Sequence, residues 1–169
     1  MTRERRFHYY VEGECEKRLI EVFKEHGGLI VPGKVDVFNV VNRRLSEMHL
    51  RAFRQNTIVI LVFDTDTKDT SILEYNISFL RKASNVKAVW CIPQVCCFED
   101  ELCRATDLKR ARDLIGSLSD KEFKHDFLKE KKVFLKLEEH GFDISKLWAS
   151  EASGPFAGIE NSGKCIKLK

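Results

Sequence analysis

Apolar and polar positions change period several times along the chain, and each change marks an element. "FHYYV" at 7–11 is a continuous apolar and aromatic run with the length of a short buried strand. In "ECEKRLIEVFKEH", Leu19, Ile20, Val22 and Phe23 fall along one side of a helix, and the glycine pair at 27–28 predicts its end. "VDVFNVV" at 35–41 is β-branched and unbroken, which predicts a second strand. "RRLSEMHLRAF" at 43–53 has the spacing of an amphipathic helix. The strongest strand signal is "TIVILVF" at 57–63, without a charge, as in a parallel strand covered on both faces. "TSILEYNISFLRKA" at 70–83 predicts another helix and "VKAVWCI" at 86–92 a fourth strand.

Strands that alternate with helices of this length predict βαβ units. The expected fold is α/β, a mainly parallel four-stranded sheet flanked by helices in a Rossmann-like manner. After residue 93 the alternation stops. "FEDELCRAT", "LKRARDLIGSL" and "DKEFKHDFLKEKKVFLKLEEHG" all read as helices, so the C-terminal half is α-rich, and the Gly- and Ser-rich end reads as loop. No repeat or linker interrupts the chain. We expect one domain over 1–169, with a core at about 6–92, a helical extension at about 98–148 and a tail at 149–169.

Composition adds bounds. With 169 residues, 43% hydrophobic, and 12 Phe, the chain can bury a core of its own. A net charge of +3 among 33% charged residues permits a polyanionic partner without demanding one. "MTRERRF" offers no apolar leader, and no run approaches the roughly 18 apolar residues of a membrane span, so a cytoplasmic protein is expected. The six cysteines show no C-x-x-C pair and no matching histidine spacing, which predicts reduced thiols acting as small core hydrophobes. Tyr9, Tyr10 and Tyr75 likewise read as packing residues.

The topology gives the acidic residues a meaning. In an open parallel sheet, ligands bind beyond the carboxyl ends of the strands. Glu12 follows the first strand directly, Asp64 follows the third, and Asp66 lies two residues later. On one sheet edge these carboxylates converge, and such oxygens suit Mg²⁺ or Mn²⁺. Gly13 has no Cβ and lets a phosphate or metal approach. Taken singly, each has a plainer reading: a carboxylate after a strand caps the next helix, and D-x-D forms a turn.

"YYVEGECEKRLI" followed by "ILVFDTDTKD" resembles the two signature motifs of the Toprim domain, shared by topoisomerases, bacterial-type primases, small ribonucleases and overcoming-lysogenization-defect (OLD) nucleases. Glu12, Gly13 and Glu16 match the first motif, Asp64 and Asp66 the second. "CIPQVCCFEDELCRAT" is similar to a stretch of RloB-type and other defence-associated Toprim proteins, which implies a further acidic site residue at Glu99; Asp100 and Glu101 read as solvated helix-face charges. The chain has no room for a topoisomerase tyrosine domain, no zinc spacing for a primase, and no P-loop, since "NSGK" at 161–164 lacks the preceding glycine.

The resemblance therefore implies a small nuclease or nicking enzyme acting on DNA or RNA, with Mg²⁺ or Mn²⁺ held by Glu12, Asp64 and Asp66. Glu16 and Glu99 would assist at the site, and Lys68 would be the nearest cation. A separate ATPase and a second copy of the chain are the implied protein partners. A basic rim could come from Arg43, Arg44, Arg51 and Arg54, or from "LKRAR" at 108–112. Two other readings stay open: a non-catalytic Mg-nucleotide or phosphate sensor, and an interaction subunit docking through Phe123, Phe127, Phe134 and Leu137. Those four could equally pack back as core.

Overall fold

A computed structural model describes residues 5–26 and 28–168. Strands β1 (Arg6–Val11), β2 (Lys34–Val37), β3 (Thr57–Asp64) and β4 (Val86–Gln94) form one all-parallel sheet in the order β2-β1-β3-β4. The two most apolar segments, β1 and β3, lie at its centre and finish side by side, Val11 opposite Val62. Side chains alternate between faces, so an unbroken apolar strand needs cover on both. On one face, Tyr9, Val11, Ile60 and Val62 share a core with α1 (Glu14–Glu25), α4 (Phe98–Ala105), α5 (Asp120–Lys129) and α6 (Val133–Glu139). On the other, Tyr10, Val59, Leu61 and Phe63 pack with α3 (Ser71–Arg81), the segment 38–45 and Phe156. The expected parallel α/β fold is the one observed.

Several elements differ from expectation, each for a local reason. The second strand stops at Val37, and 43–53 holds a single helical turn, α2 (Glu47–Leu50). Side chains take over the backbone bonds that a helix would have made. Asn39 Oδ1 accepts from the N–H groups of Val41 and Asn42. The fully buried Asn76 of α3 accepts from the N–H of Leu45 and donates to the carbonyls of Val40 and Arg43. Arg43 and Arg44 are consequently no helical stripe; they stack over the rings of Phe38 and Tyr75. Tyr75, expected in the core, is 40% exposed beneath that guanidinium. β4 continues through Pro93 to Gln94, tolerable because it is an edge strand.

The expected helix over 108–118 is reduced to a 3-10 turn at Ala111–Leu114, with Gly116 left-handed at φ +71° just beyond. The long helix over 120–141 breaks into α5 and α6 where Glu130 becomes extended; its carbonyl accepts from Arg18 and its carboxylate from the N–H of Lys132. Phe123, Phe127 and Leu137 are fully buried, so they are core and not a docking surface; Phe134 packs partly against the same cluster. α1 ends at Glu25; of the expected glycine cap, Gly27 lies outside the described residues. The C-terminal segment is mostly loop, with one turn, α7 (Gly163–Ile166), and is stitched down: Ser162 N–H donates to the Cys91 carbonyl at 2.7 Å, along the open edge of β4.

All six cysteines are free, but only Cys15 and Cys91 are buried. Cys96 and Cys165 are exposed, so the expectation of core thiols fails for them; both lie outside the sheet and its packing helix faces. No helix among the described residues is long and apolar enough to cross a membrane.

Gly33, leading into β2, has no room for a side chain: a Cβ would sit 2.5 Å from the carbonyl oxygen of Phe7. Backbone cannot yield as a flexible side chain does. Gly33→Ala is therefore expected to destabilise the protein by about 2 kcal/mol, read as a lower urea midpoint at unchanged slope.

Candidate functional site

β1 passes into α1 through Glu12 and Gly13. Gly13, extended at φ −147°, is the N-cap, and no side chain caps this helix. Glu12 is thus not a cap. Its Oε2 accepts from the backbone N–H of Asp64 at 2.9 Å, tying the carboxyl end of β1 to that of β3. One helical turn on, Glu16 is 5% exposed. Its Oε2 lies 3.1 Å from where a Gly13 Cβ would stand, so the glycine leaves the space into which Glu16 returns.

Gln94, the last residue of β4, completes the arrangement. It is fully buried, and its Nε2 donates to Asp64 Oδ1 at 2.7 Å and to Glu16 Oε1 at 3.2 Å. Its Oε1 accepts from the indole of Trp148 at 3.1 Å. An indole can only donate, which fixes the amide with its nitrogen toward the carboxylates. Neither Gln94 nor Trp148 was expected at the site. A polar residue ending an apolar strand beside Asp64 was a signal for Gln94; nothing local marks Trp148.

The electrostatics follow from three close carboxyl groups in a partly dry place. Burial pushes Asp64 up to about 8, and the charges of Glu12 and Glu16 add to this against the Gln94 hydrogen bond. Burial also raises Glu16 above the ordinary carboxyl range, with Glu12 adding a smaller push. The charge of Lys124 offsets this only in part at Glu16, and a divalent cation would supply the remainder. Above it lies a cavity of about 360 Å³ lined by Glu12, Gly13, Glu16, Asn39, Asp64 and Lys124, among others. A larger cavity of about 540 Å³, between α3, β4 and the C-terminal segment, includes Glu74, Arg81, Lys82 and Glu160, all exposed, and gathers no buried carboxylate.

The remaining expected residues fall elsewhere. Asp66 is exposed and outside the cavity lining, although its charge still acts on Asp64. The chain turns away at Thr65, whose N–H donates to the carbonyls of Gln94 and Cys96. The converging set is therefore Glu12, Glu16 and Asp64, with Asp66 at the rim. Lys68 is exposed and does not line the cavity. The cation that does is Lys124 of α5, paired with Glu99 at 3.4 Å, which puts Glu99 at the margin through its partner.

Glu101, expected in solvent, is fully buried. It accepts from the N–H groups of Val95 and Trp148, each at 3.0 Å, and from Arg104 at 2.8 Å, so it clamps the residue that orients Gln94. Glu101→Leu leaves those buried donors without an acceptor. A loss of about 3 kcal/mol is expected, measured by urea unfolding.

The donor set can be tested against the metals that the acidic edge implies. The bonds to the Asp64 amide and to Gln94 use Oε2 of Glu12 and Oδ1 of Asp64, leaving a second oxygen on each. Among the described residues, no three of these carboxylates bring ligand atoms within 4.8 Å of one another. Mg²⁺ commonly takes one or two carboxylates and completes its shell with water and phosphate oxygens. An open, all-oxygen arrangement fits Mg²⁺ or Mn²⁺ and suits no metal that requires a closed protein cage.

The fold and the site thus define an all-parallel α/β protein with an acidic pocket at the carboxyl edge of its central strands. The chain matches no protein-family model, no curated protein and no solved structure.

Proposed function

We propose that the chain is a metal-dependent phosphodiesterase acting on DNA or RNA, in the manner of the Toprim nucleases whose motifs it resembles. The observation that carries this reading is the Glu12 carboxylate bound to the Asp64 amide, with Glu16 beside them. It joins the two motifs, 52 positions apart, at the edge where a parallel sheet binds ligands. Glu12 and Asp64 would hold Mg²⁺ or Mn²⁺, with Glu16 near. When bound, such an ion polarises a phosphate and lowers the pKa of a coordinated water. Gln94, locked by Trp148, keeps the Asp64 and Glu16 carboxyl groups at fixed angles. Lys124, which lines the cavity where Lys68 does not, would offset charge on the phosphate. Gly13, without a Cβ, leaves the space that lets the Glu16 carboxylate turn back toward the pocket.

A separate ATPase partner follows from the resemblance alone, and the buried aromatics of α5 and α6 are not its docking face. The test is incubation of end-labelled single- and double-stranded DNA and RNA with Mg²⁺ or Mn²⁺, with and without chelator. Metal-dependent cleavage of any of these is the expected result. Metal binding without turnover on every substrate would replace the enzyme with a sensor.

A further inference from the structure

Outside the acidic pocket, one other cluster has ligand chemistry. The chain leaves β4 at Gln94 and enters α4 at Phe98, and the connection places Cys96, Cys97 and Asp100 together. One Sγ from each cysteine and one carboxylate oxygen of Asp100 all lie within 4.8 Å of one another. We propose that these three side chains form a binding site for a thiophilic divalent cation, Zn²⁺ in the first instance, separate from the carboxylate pocket.

The spacing supports this. Tetrahedral zinc with Zn–S of about 2.3 Å and Zn–O of about 2.0 Å needs sulfur and oxygen ligands roughly 3.5 Å apart. Cys97 Sγ and Asp100 Oδ2 are 3.5 Å apart. Two adjacent cysteines ordinarily send their side chains apart, and here the backbone brings them together. Cys96 takes a left-handed conformation, φ +67°, which is costly for a residue with a Cβ. It is held there by both backbone polar groups: its N–H donates to Thr65 Oγ1 at 3.0 Å, and its carbonyl accepts from the Thr65 N–H at 3.1 Å. Cys97 is then the N-cap of α4, and Asp100, one turn later, comes back onto its sulfur. Cys96 is exposed and the other two are partly so, which lets a metal enter and leaves a fourth position to water.

Two thiolates and a carboxylate select zinc. Mg²⁺ disfavours sulfur, and a four-thiolate iron–sulfur centre lacks its ligands among the described residues. The site does not depend on the phosphodiesterase reading, since none of its three ligands lines the acidic cavity.

The experiment is a Co²⁺ titration of the reduced 169-residue chain with excess Mg²⁺ present to fill the carboxylate site. Thiolate-to-cobalt charge-transfer absorption is expected to saturate at one equivalent and to vanish when Zn²⁺ is added. Cys165→Ser, which removes an exposed thiol elsewhere, should leave the band unchanged; Cys96→Ser and Cys97→Ser should each diminish it, and the double variant should abolish it. In the unmutated protein, Zn²⁺ should protect Cys96 and Cys97 from alkylation, mapped by peptide mass, so the result stands even if a variant misfolds. Absence of the band, its survival in the double variant, or protection of other cysteines instead overturns the proposal.

Discussion

Asp64→Asn is expected to lower metal-dependent cleavage by at least about 10³-fold, on the order of 4 kcal/mol of transition-state stabilisation, while the protein stays folded. Asp64 combines more of the site than any other residue. Its amide holds Glu12, its carboxyl group is held by Gln94, and its charge is crowded by Glu12 and Glu16. Asparagine keeps the shape, and its oxygen can still accept from Gln94, so what is lost is an anionic metal ligand. The contrast with Asp66→Asn makes the prediction specific. Asp66 matches the D-x-D motif equally well but is exposed and outside the cavity, so its loss should cost no more than about tenfold, the scale of a single surface charge. Initial rates at saturating Mn²⁺, with melting curves for both variants, decide the matter. Equal losses in the two would move the site outward to the rim, and an active Asp64→Asn would remove the pocket from the chemistry.

That contrast also shows what could be read from the sequence. The sheet was legible because β3 is uncharged from Thr57 to Phe63 and β1 is apolar or aromatic from Phe7 to Val11 except at His8, the pattern of strands covered on both faces. Glu12 and Asp64 were legible because strand direction alone places them on one edge. Helices 43–53 and 108–118 were misread because periodicity does not register competing side-chain hydrogen bonds. The Asn76 amide serves the backbone of Arg43 and Leu45 in the first segment and of Val40 just before it, so the alternative to a helix is written 31 to 36 residues away from them. Glu101 was misread for a related reason. A glutamate in the first turn of a helix looks solvated until Trp148, 47 positions later, is seen to cover it. Lys124 and Trp148 share that limitation, since each enters the site or its support through a tertiary contact with no local motif.

The metal-free protein is expected to lose stability as pH rises from about 4 to about 8, and a divalent cation should reverse the loss. An unfolded aspartate titrates near 3.8, whereas folding pushes Asp64 up to about 8, chiefly by burial and then by the charges of Glu12 and Glu16. The folded state thus binds the proton more tightly than the unfolded chain. Its stabilising contribution is complete below the unfolded value, shrinks through the interval, and is gone above the folded one. At about 1.4 kcal/mol per pH step the full interval corresponds to up to about 6 kcal/mol, or a fall in Tm on the order of 10 °C for a domain of this size. Glu16, raised in the same direction, adds to the slope. His8, its imidazole depressed by burial, contributes a slope of the opposite sign, so the difference between two proteins carries the information. Asp64→Asn removes the ionising group and should flatten the curve, leaving a variant more stable than the parent above pH 7 without metal. Mg²⁺ at about a hundred times its Kd should restore about 2.7 kcal/mol to the parent and far less to the variant. Parallel pH profiles for the two proteins, or equal gains from Mg²⁺, would show that Asp64 does not carry the buried charge on which the metal centre depends.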